Sequence, residues 1–435
     1  MISPITLKEN IVEQRKNFLH KEQLIHREMI DRLEFRKILS LHEPLIITGI
    51  RRCGKSFFLK LIWQHIQKQQ NISDQNILYI NFEDEKLLHF SAEDFDVLLE
   101  NFFELYTVNH KQRIYLLFDE IQIIQGWEKF IVRLMREKKY KIIITGSNAT
   151  LLSKEIASTL TGRNIQVQLF PLTFREFARY KLHELPNKKD LFDTEIRIRI
   201  KKLFHQYLLN GGFPAVVSEQ YRPLLQEYLR GIIYRDIVLR HRIKHEASLR
   251  EIVSFVLSNI GVPLSLQNMS NMTRIKNIAT VKNYLTYLQD TFLLYGVAKH
   301  SFSVKEQVYN PDKFYVADSG MYHEVAIVHG KNSGRVLENI VFLELLTRNQ
   351  LCYYFKKKHE CDFIIQKNKK PYEAIQVTQT LSIINREREI QGIIEALNTL
   401  KLKNGRILTE DEHNELHVEG KKIIVEPIWQ WCLYQ

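Results

Sequence analysis

Nowhere in the chain is an apolar stretch long enough to span a bilayer as a helix. The opening run MISPITLKENIVEQRK lacks the apolar core of a secretion signal. Cysteine is scarce, and Cys53, Cys352, Cys361 and Cys432 form no C-x-x-C pair. Neither a zinc site nor a disulfide frame is indicated, so reduced thiols in a cytoplasmic protein with no membrane partner are expected. Internal repeats and low-complexity tracts are also missing. What remains is 435 residues, 45% hydrophobic and 26% charged. That is an ordinary globular composition, too long for one hydrophobic core, and it predicts two or three domains.

Negative charge is in deficit. The net charge is +12 with a pI near 9.3, a balance that draws a chain toward polyanions such as nucleic acid. A charge excess is often only a solvated surface, so its distribution matters more. Between Tyr221 and His300 there are eleven Lys/Arg against five Asp/Glu. Half of the whole excess therefore falls in less than a fifth of the chain.

Residues 10–40, rich in Glu, Lys, Arg and Leu, read as helix. Short apolar runs at 45–48, 77–82, 114–118 and 141–145 read as buried strands, with helical stretches between them, including Ser56–Gln69. Such alternation predicts an α/β domain with a mostly parallel sheet covered by helices on both faces. After Leu169 the pattern turns helical, at 174–182 and 195–210, and Gly211-Gly212-Phe213-Pro214 is a plausible close to this first part. Residues 222–300 read as helical and basic; strands return at 313–316, 352–355, 361–366 and 373–378, with a helix over 336–348.

Gly49-Ile50-Arg51-Arg52-Cys53-Gly54-Lys55-Ser56 fits G-x-x-x-x-G-K-[ST], with a strand before it and a helix after it. Glycines let a backbone wrap phosphates with its N–H groups inward, and the helix N-terminus adds favourable partial charge. The whole stretch through Phe57 is the expected nucleotide contact. In it Lys55 would reach the β- and γ-phosphates and Ser56 would hold Mg2+. Some sixty residues on, Tyr115-Leu116-Leu117-Phe118-Asp119-Glu120 is an apolar strand ending in two carboxylates. Asp119 can hold the magnesium water shell and Glu120 can deprotonate the attacking water. Thr145-Gly146-Ser147-Asn148 ends the next strand in small polar groups, at the sheet end that faces ligand. Either Ser147 or Asn148 could contact the γ-phosphate or the water; the bland alternative is a helix N-cap. Arg163, in Thr161-Gly162-Arg163, is a candidate arginine finger.

Together with Trp127, Leu160-Thr161-Gly162-Arg163, Pro171-Leu172-Thr173-Phe174-Arg175-Glu176-Phe177 and Gly211-Gly212-Phe213-Pro214, these motifs resemble the prokaryotic ATPases of the AAA superfamily that carry a conserved C-terminal domain of unknown function. The resemblance covers most of residues 20–218. It implies an AAA-type sheet with the P-loop strand central, ATP rather than GTP as the nucleotide, and Lys55, Ser56, Asp119 and Glu120 in the roles given above. It further implies Asn148 as polar sensor, with Ser147 as fallback. Arg163 looks like the family's finger, acting on a neighbouring subunit if the chain forms a homo-oligomer.

Three parts are expected: 1–218 with the P-loop domain, 219–305 as a helical, winged-helix domain, and 306–435 as an α/β domain. Within 249–300, Ser248 and Thr280 are candidate helix caps. Val281, Tyr284, Leu285 and Leu288 form an apolar stripe, while Lys282, Asn283, Thr286 and Gln289 face out. Such a face, with Arg274 and Lys276 beside it, suits duplex DNA; winged helices also serve as protein-binding modules, so a protein partner stays open. The last part resembles the restriction-endonuclease-like PD-(D/E)xK fold found at this place in the family. Glu338 and Asp362 are its available carboxylates. Gln376 and Thr378 stand where acid or glutamine and then lysine would be expected, and Glu373 is out of step. An inert scaffold is therefore expected in place of a nuclease.

Overall fold

The structure is a computed structural model that describes residues 2–20, 24–148, 164–273, 275–325 and 333–434. It divides into two compact units, residues 1–170 with 290–292, and residues 171–289 with 293–435.

The first unit is built on five strands: β1 (Leu45–Thr48), β2 (Ile77–Asn81), β3 (Ile114–Asp119), β4 (Tyr140–Gly146) and β5 (Ile165–Gln168). They pair in parallel in the order β2-β3-β4-β1-β5, with the P-loop strand β1 between β4 and β5. Every residue of β1, β3 and β4 is buried, which explains their continuous apolar runs. One face packs on phenylalanines; Phe95 and Phe130 stack at 4.2 Å and Phe118 lies beside them. Burial of such rings, at roughly 25 cal/mol per Å2, dominates the stability of the layer.

The strand β2 is a sheet edge, and the helix Pro4–Leu19 covers it. Gln14 accepts from the Asn81 N–H at 2.7 Å and donates to the Asn81 carbonyl at 3.1 Å, while Arg15 donates to the Ile77 carbonyl at 3.3 Å. Side-chain groups thus take the hydrogen bonds a further strand would have supplied. The helix expected across 10–40 is broken into this helix, a 3-10 turn at Glu28–Asp31 and a second helix, Leu33–Ser40. The break frees Arg27, whose guanidinium donates to the carbonyls of Cys53 at 3.2 Å and Phe170 at 2.6 Å.

The second unit begins with helices Phe174–Leu182 and Thr194–Asn210, which sequence patterning grouped with the P-loop part up to 218. They pack by Phe174 on Phe204 and Tyr207. Their C-terminal turn is then held from the far part of the chain, because Asp318 accepts from the N–H groups of Gly212, Gly320 and Met321. Compactness therefore divides the chain at Phe170.

Three helices follow, Glu246–Ser258, Leu266–Met272 and Ile278–Asp290, with the strands β6 (Pro263–Leu264), β7 (Leu294–Val297) and β8 (Asp312–Val316). The strands form an antiparallel sheet in the order β6-β8-β7. Asn277, not Thr280, caps the third helix by accepting from Ala279 N–H at 2.8 Å, so that helix starts at Ile278. The other sheet holds β9 (Leu351–Lys356), β10 (Glu360–Lys367), β11 (Lys370–Val377), β12 (Asn404–Thr409), β13 (Asn414–Val418) and β14 (Lys421–Pro427), in the order β13-β14-β12-β11-β10-β9. Helices Ser333–Thr347 and Arg386–Thr399 precede β9 and β12. Trp429 and Trp431 are buried core residues. Among the described residues no helix is long and apolar enough to cross a membrane.

Candidate nucleotide site

The loop from Gly49 to Gly54 connects β1 to the helix Lys55–Gln70. Its shape requires glycine at both ends. Gly49 has φ of 151°, and a Cβ there would lie 2.2 Å from the Leu169 carbonyl oxygen; Gly54 has φ of 99°. Cys53 is fully buried beneath the loop, where burial raises its thiol pKa, so it is an inert packing residue. Arg27 braces the loop from below through the Cys53 carbonyl.

Lys55 is buried and donates to the Gly49 carbonyl at 3.2 Å; its ammonium also pairs with the Glu120 carboxylate at 3.2 Å. Burial alone would lower the lysine pKa, but the Glu120 charge outweighs it and the ammonium is held above its ordinary range. Burial likewise pushes Glu120 up; Lys55, the amide of Gln122 and the charge of Arg51 outweigh that and leave the carboxyl below its ordinary value. Glu120 sits at φ 53°, ψ 40°, a left-handed conformation uncommon for a residue with a side chain. That turn aims its carboxylate at the loop while its N–H donates to the Thr145 hydroxyl at 3.0 Å.

Asp119, the last residue of β3, is completely buried. It receives the hydroxyls of Thr145, of Tyr79 at 3.1 Å, and of Ser56. Burial, then the neighbouring Glu120 charge, raises its pKa; the Ser56 and Thr145 bonds and the Lys55 charge act against the rise. A hydroxyl at a helix N-terminus bonded to a carboxylate at a strand tip is a donor set that suits Mg2+, which takes one or two protein oxygens and keeps water and phosphate for the rest. Beside Ser56 lies a pocket of about 280 Å3, bounded by Phe57, Lys60, Tyr79, Asn81 and Asp84.

The structure thus brings Lys55, Ser56, Asp119 and Glu120 together. Ser147 and Asn148 are buried just beyond the end of β4, the strand next to β3. Arg163 and Arg274 lie outside the described residues. Sequence reasoning did not assign the contacts of three residues. Thr145 joins both carboxylate residues; a threonine directly after Ile142-Ile143-Ile144 was the available signal. Gln122 donates to Glu120, and its Oε1 is buried with no partner among the described residues. Arg27 reaches the loop from the N-terminal segment, which no local motif reveals.

Residues 41–178 match the family described as AAA domain, and residues 201–332 match a domain of unknown function, DUF8612. Across its full length the chain is 33% identical to the uncharacterized protein MJ1544 of Methanocaldococcus jannaschii, covering 96% of that protein. It belongs to the same family as that protein. Another relative, an uncharacterized protein of Haemophilus influenzae, is 30% identical over 88% of this chain and 93% of its own length. The AAA match makes the first unit a nucleotide-binding domain of the P-loop ATPase type, and the parallel sheet described above is its sheet. Among solved structures, the Aeropyrum pernix ORC2 protein in its ADP form is similar at TM-score 0.36 and 12% identity, over 70% of this chain and 93% of that one. AMPPCP-bound DnaA from Aquifex aeolicus is similar at TM-score 0.24 and 17% identity, over 60% and 86%. Scores that low decide neither ligand nor partner.

In the second unit, Glu338 and Asp362 are both buried. Gln376 accepts from the Asp362 N–H at 3.3 Å and donates to Glu389 at 2.7 Å. Thr378 donates to the Thr380 carbonyl at 3.2 Å, and Glu373 pairs with Arg406 at 2.9 Å.

Proposed function

We propose that the protein hydrolyses ATP with Mg2+ at the P-loop and couples that cycle to duplex DNA through residues 249–300. The observation that carries the first half is the Lys55–Glu120 pair at 3.2 Å. Each member has a second duty in hydrolysis. Phosphate oxygens arriving at the loop would draw the Lys55 ammonium from Glu120 and leave a carboxylate free to accept a proton. Glu120 then takes the proton of the attacking water as its oxygen bonds the γ-phosphorus and the bridge to ADP breaks. Ser56 and Asp119 would hold Mg2+, which neutralises phosphate charge when bound. The unpartnered Gln122 oxygen is an acceptor suited to that water. Asn148 as sensor and Arg163 as finger, in a homo-oligomer, complete the reading.

The second half rests on the helix Ile278–Asp290. Val281, Tyr284, Leu285 and Leu288 are buried, while Lys282, Asn283, Thr286 and nearby Lys276 are exposed. Three helices interleaved with an antiparallel β6-β8-β7 sheet support a winged-helix reading, with that helix as the groove reader. The succession of helix, β9, β10, β11, helix and β12 likewise supports a nuclease-like fold for the last part.

Glu120 is tied by both Lys55 and Gln122, which also supports a second reading, a slow regulatory switch with a protein partner. ATP turnover measured with and without duplex DNA at two salt concentrations separates them. Stimulation that fades with salt supports the DNA-coupled enzyme. Slow turnover indifferent to DNA supports the switch.

A further inference from the structure

The second unit contains a buried ion cluster that the nucleotide site does not use. Lys313, on β8 and 1% exposed, places its ammonium 2.9 Å from Glu338, 2.9 Å from Glu360 and 3.2 Å from Asp362. The carboxylates come from the helix Ser333–Thr347 and from β10, so they converge from different elements on one point. Among the described residues no group of His, Cys, Asp and Glu is arranged to hold a metal ion. The convergence is occupied by a lysine.

We propose that the Lys313 ammonium is the resident cation of this carboxylate cage, filling the place a divalent metal ion would take, so that the centre is a metal-free structural core and not a cleavage site. The inference rests on this geometry and is independent of ATP hydrolysis.

An ammonium has three N–H donors and no acceptor. Three carboxylates at hydrogen-bond distance consume all of them, leaving none to activate a water or steady a phosphate. The carboxylates are committed as well. Glu338 also accepts from the Tyr315 hydroxyl at 2.6 Å, Asp362 from the Val377 N–H at 2.9 Å, and Glu360 pairs with Lys356 at 3.0 Å. On one side the cage is closed by backbone. A Cβ on Gly261 would sit 2.9 Å from the Glu338 Oε2, so the turn before β6 packs closely against the carboxylate oxygen that faces away from Lys313. Oxygens spaced for N–H donors at 2.9–3.2 Å stand farther out than ligands of a divalent ion, at roughly 2.0–2.6 Å. The lysine absent from position 378 is thus present in space from another strand, but as ligand-set counter-ion.

The test is Mn2+ binding to nucleotide-free protein, followed by electron paramagnetic resonance of the free aquo ion. Lys313→Ala leaves three acids around an empty centre and is expected to bind one Mn2+ on the order of a hundredfold more tightly than wild type. Glu338→Gln added to it should remove that site. A folded Lys313→Ala protein with wild-type Mn2+ affinity overturns the proposal. A second arm needs no change at Lys313: wild type and Asp362→Asn are expected to bind Mn2+ indistinguishably. If wild type holds an ion that Asp362→Asn loses, the cage is a metal site and the lysine is not its cation.

Discussion

Each unit buries a lysine against acid, and the two arrangements differ in what the lysine can still do. Lys55 has one carboxylate partner and two backbone carbonyls, those of Gly49 and Ile50, on a loop that ends at a helix N-terminus. Lys313 has three carboxylates and sits in a strand. A single ion pair can be exchanged for phosphate because the incoming charge replaces the outgoing one. A lysine surrounded by three acids has no better partner to move to. Availability, more than burial or pKa, separates a chemical lysine from a structural one.

The comparison breaks most visibly through Lys55→Ala. ATP turnover is expected to fall by roughly a thousandfold, with a smaller loss of stability than at Lys313 because one carboxylate is unpaired instead of three; normal magnesium-dependent turnover would remove the loop from the chemistry. Lys313→Ala should show the reverse profile. Unpairing buried acids costs about 3–5 kcal/mol, read as a lower denaturation midpoint, and a variant as stable as wild type would mean that the cage is not closed.

The effect of pH comes next. Burial raises Asp318 from its ordinary 3.8 to about 7. In the unfolded chain it therefore loses its proton first, and stability of the second unit falls as pH climbs from 3.8 toward 7 and levels above that. Asp362, pushed up to about 7 by burial and by Glu338, acts in the same sense. A loss of several kcal/mol, about 1.4 kcal/mol for each unit of separation between the folded and unfolded pKa, is expected, read by hydrogen exchange in the second unit after correction for intrinsic rates. Stability that rises over the interval would contradict it. Gln122→Ala is the finest probe: it frees one Glu120 oxygen, so turnover should change by roughly threefold to tenfold while ATP affinity holds. An unchanged rate would reduce Gln122 to packing.

The phosphate loop was legible because its chemistry is contiguous: Gly49, Gly54, Lys55 and Ser56 occupy one turn of chain, and β3 carries Asp119 and Glu120 side by side. The apolar runs of β1, β3 and β4 were legible for the same reason. What escaped depends on distance along the chain. Thr145 meets Asp119 across a sheet, Arg27 meets the loop from an extended segment, and Lys313 finds Asp362 forty-nine positions later. Sequence patterning looks for a lysine at position 378, and nothing local reveals that Lys313 enters from β8. The helices after Leu169 looked like a continuation of the first domain because nothing local reveals that Asp318 holds their end.

The most direct test of the account is magnesium-dependent ATP hydrolysis by wild type and Glu120→Gln, with nucleotide binding measured on both. The account predicts that the variant binds ATP at least as well as wild type and turns it over at least roughly a hundredfold more slowly. Wild-type turnover in Glu120→Gln would contradict it.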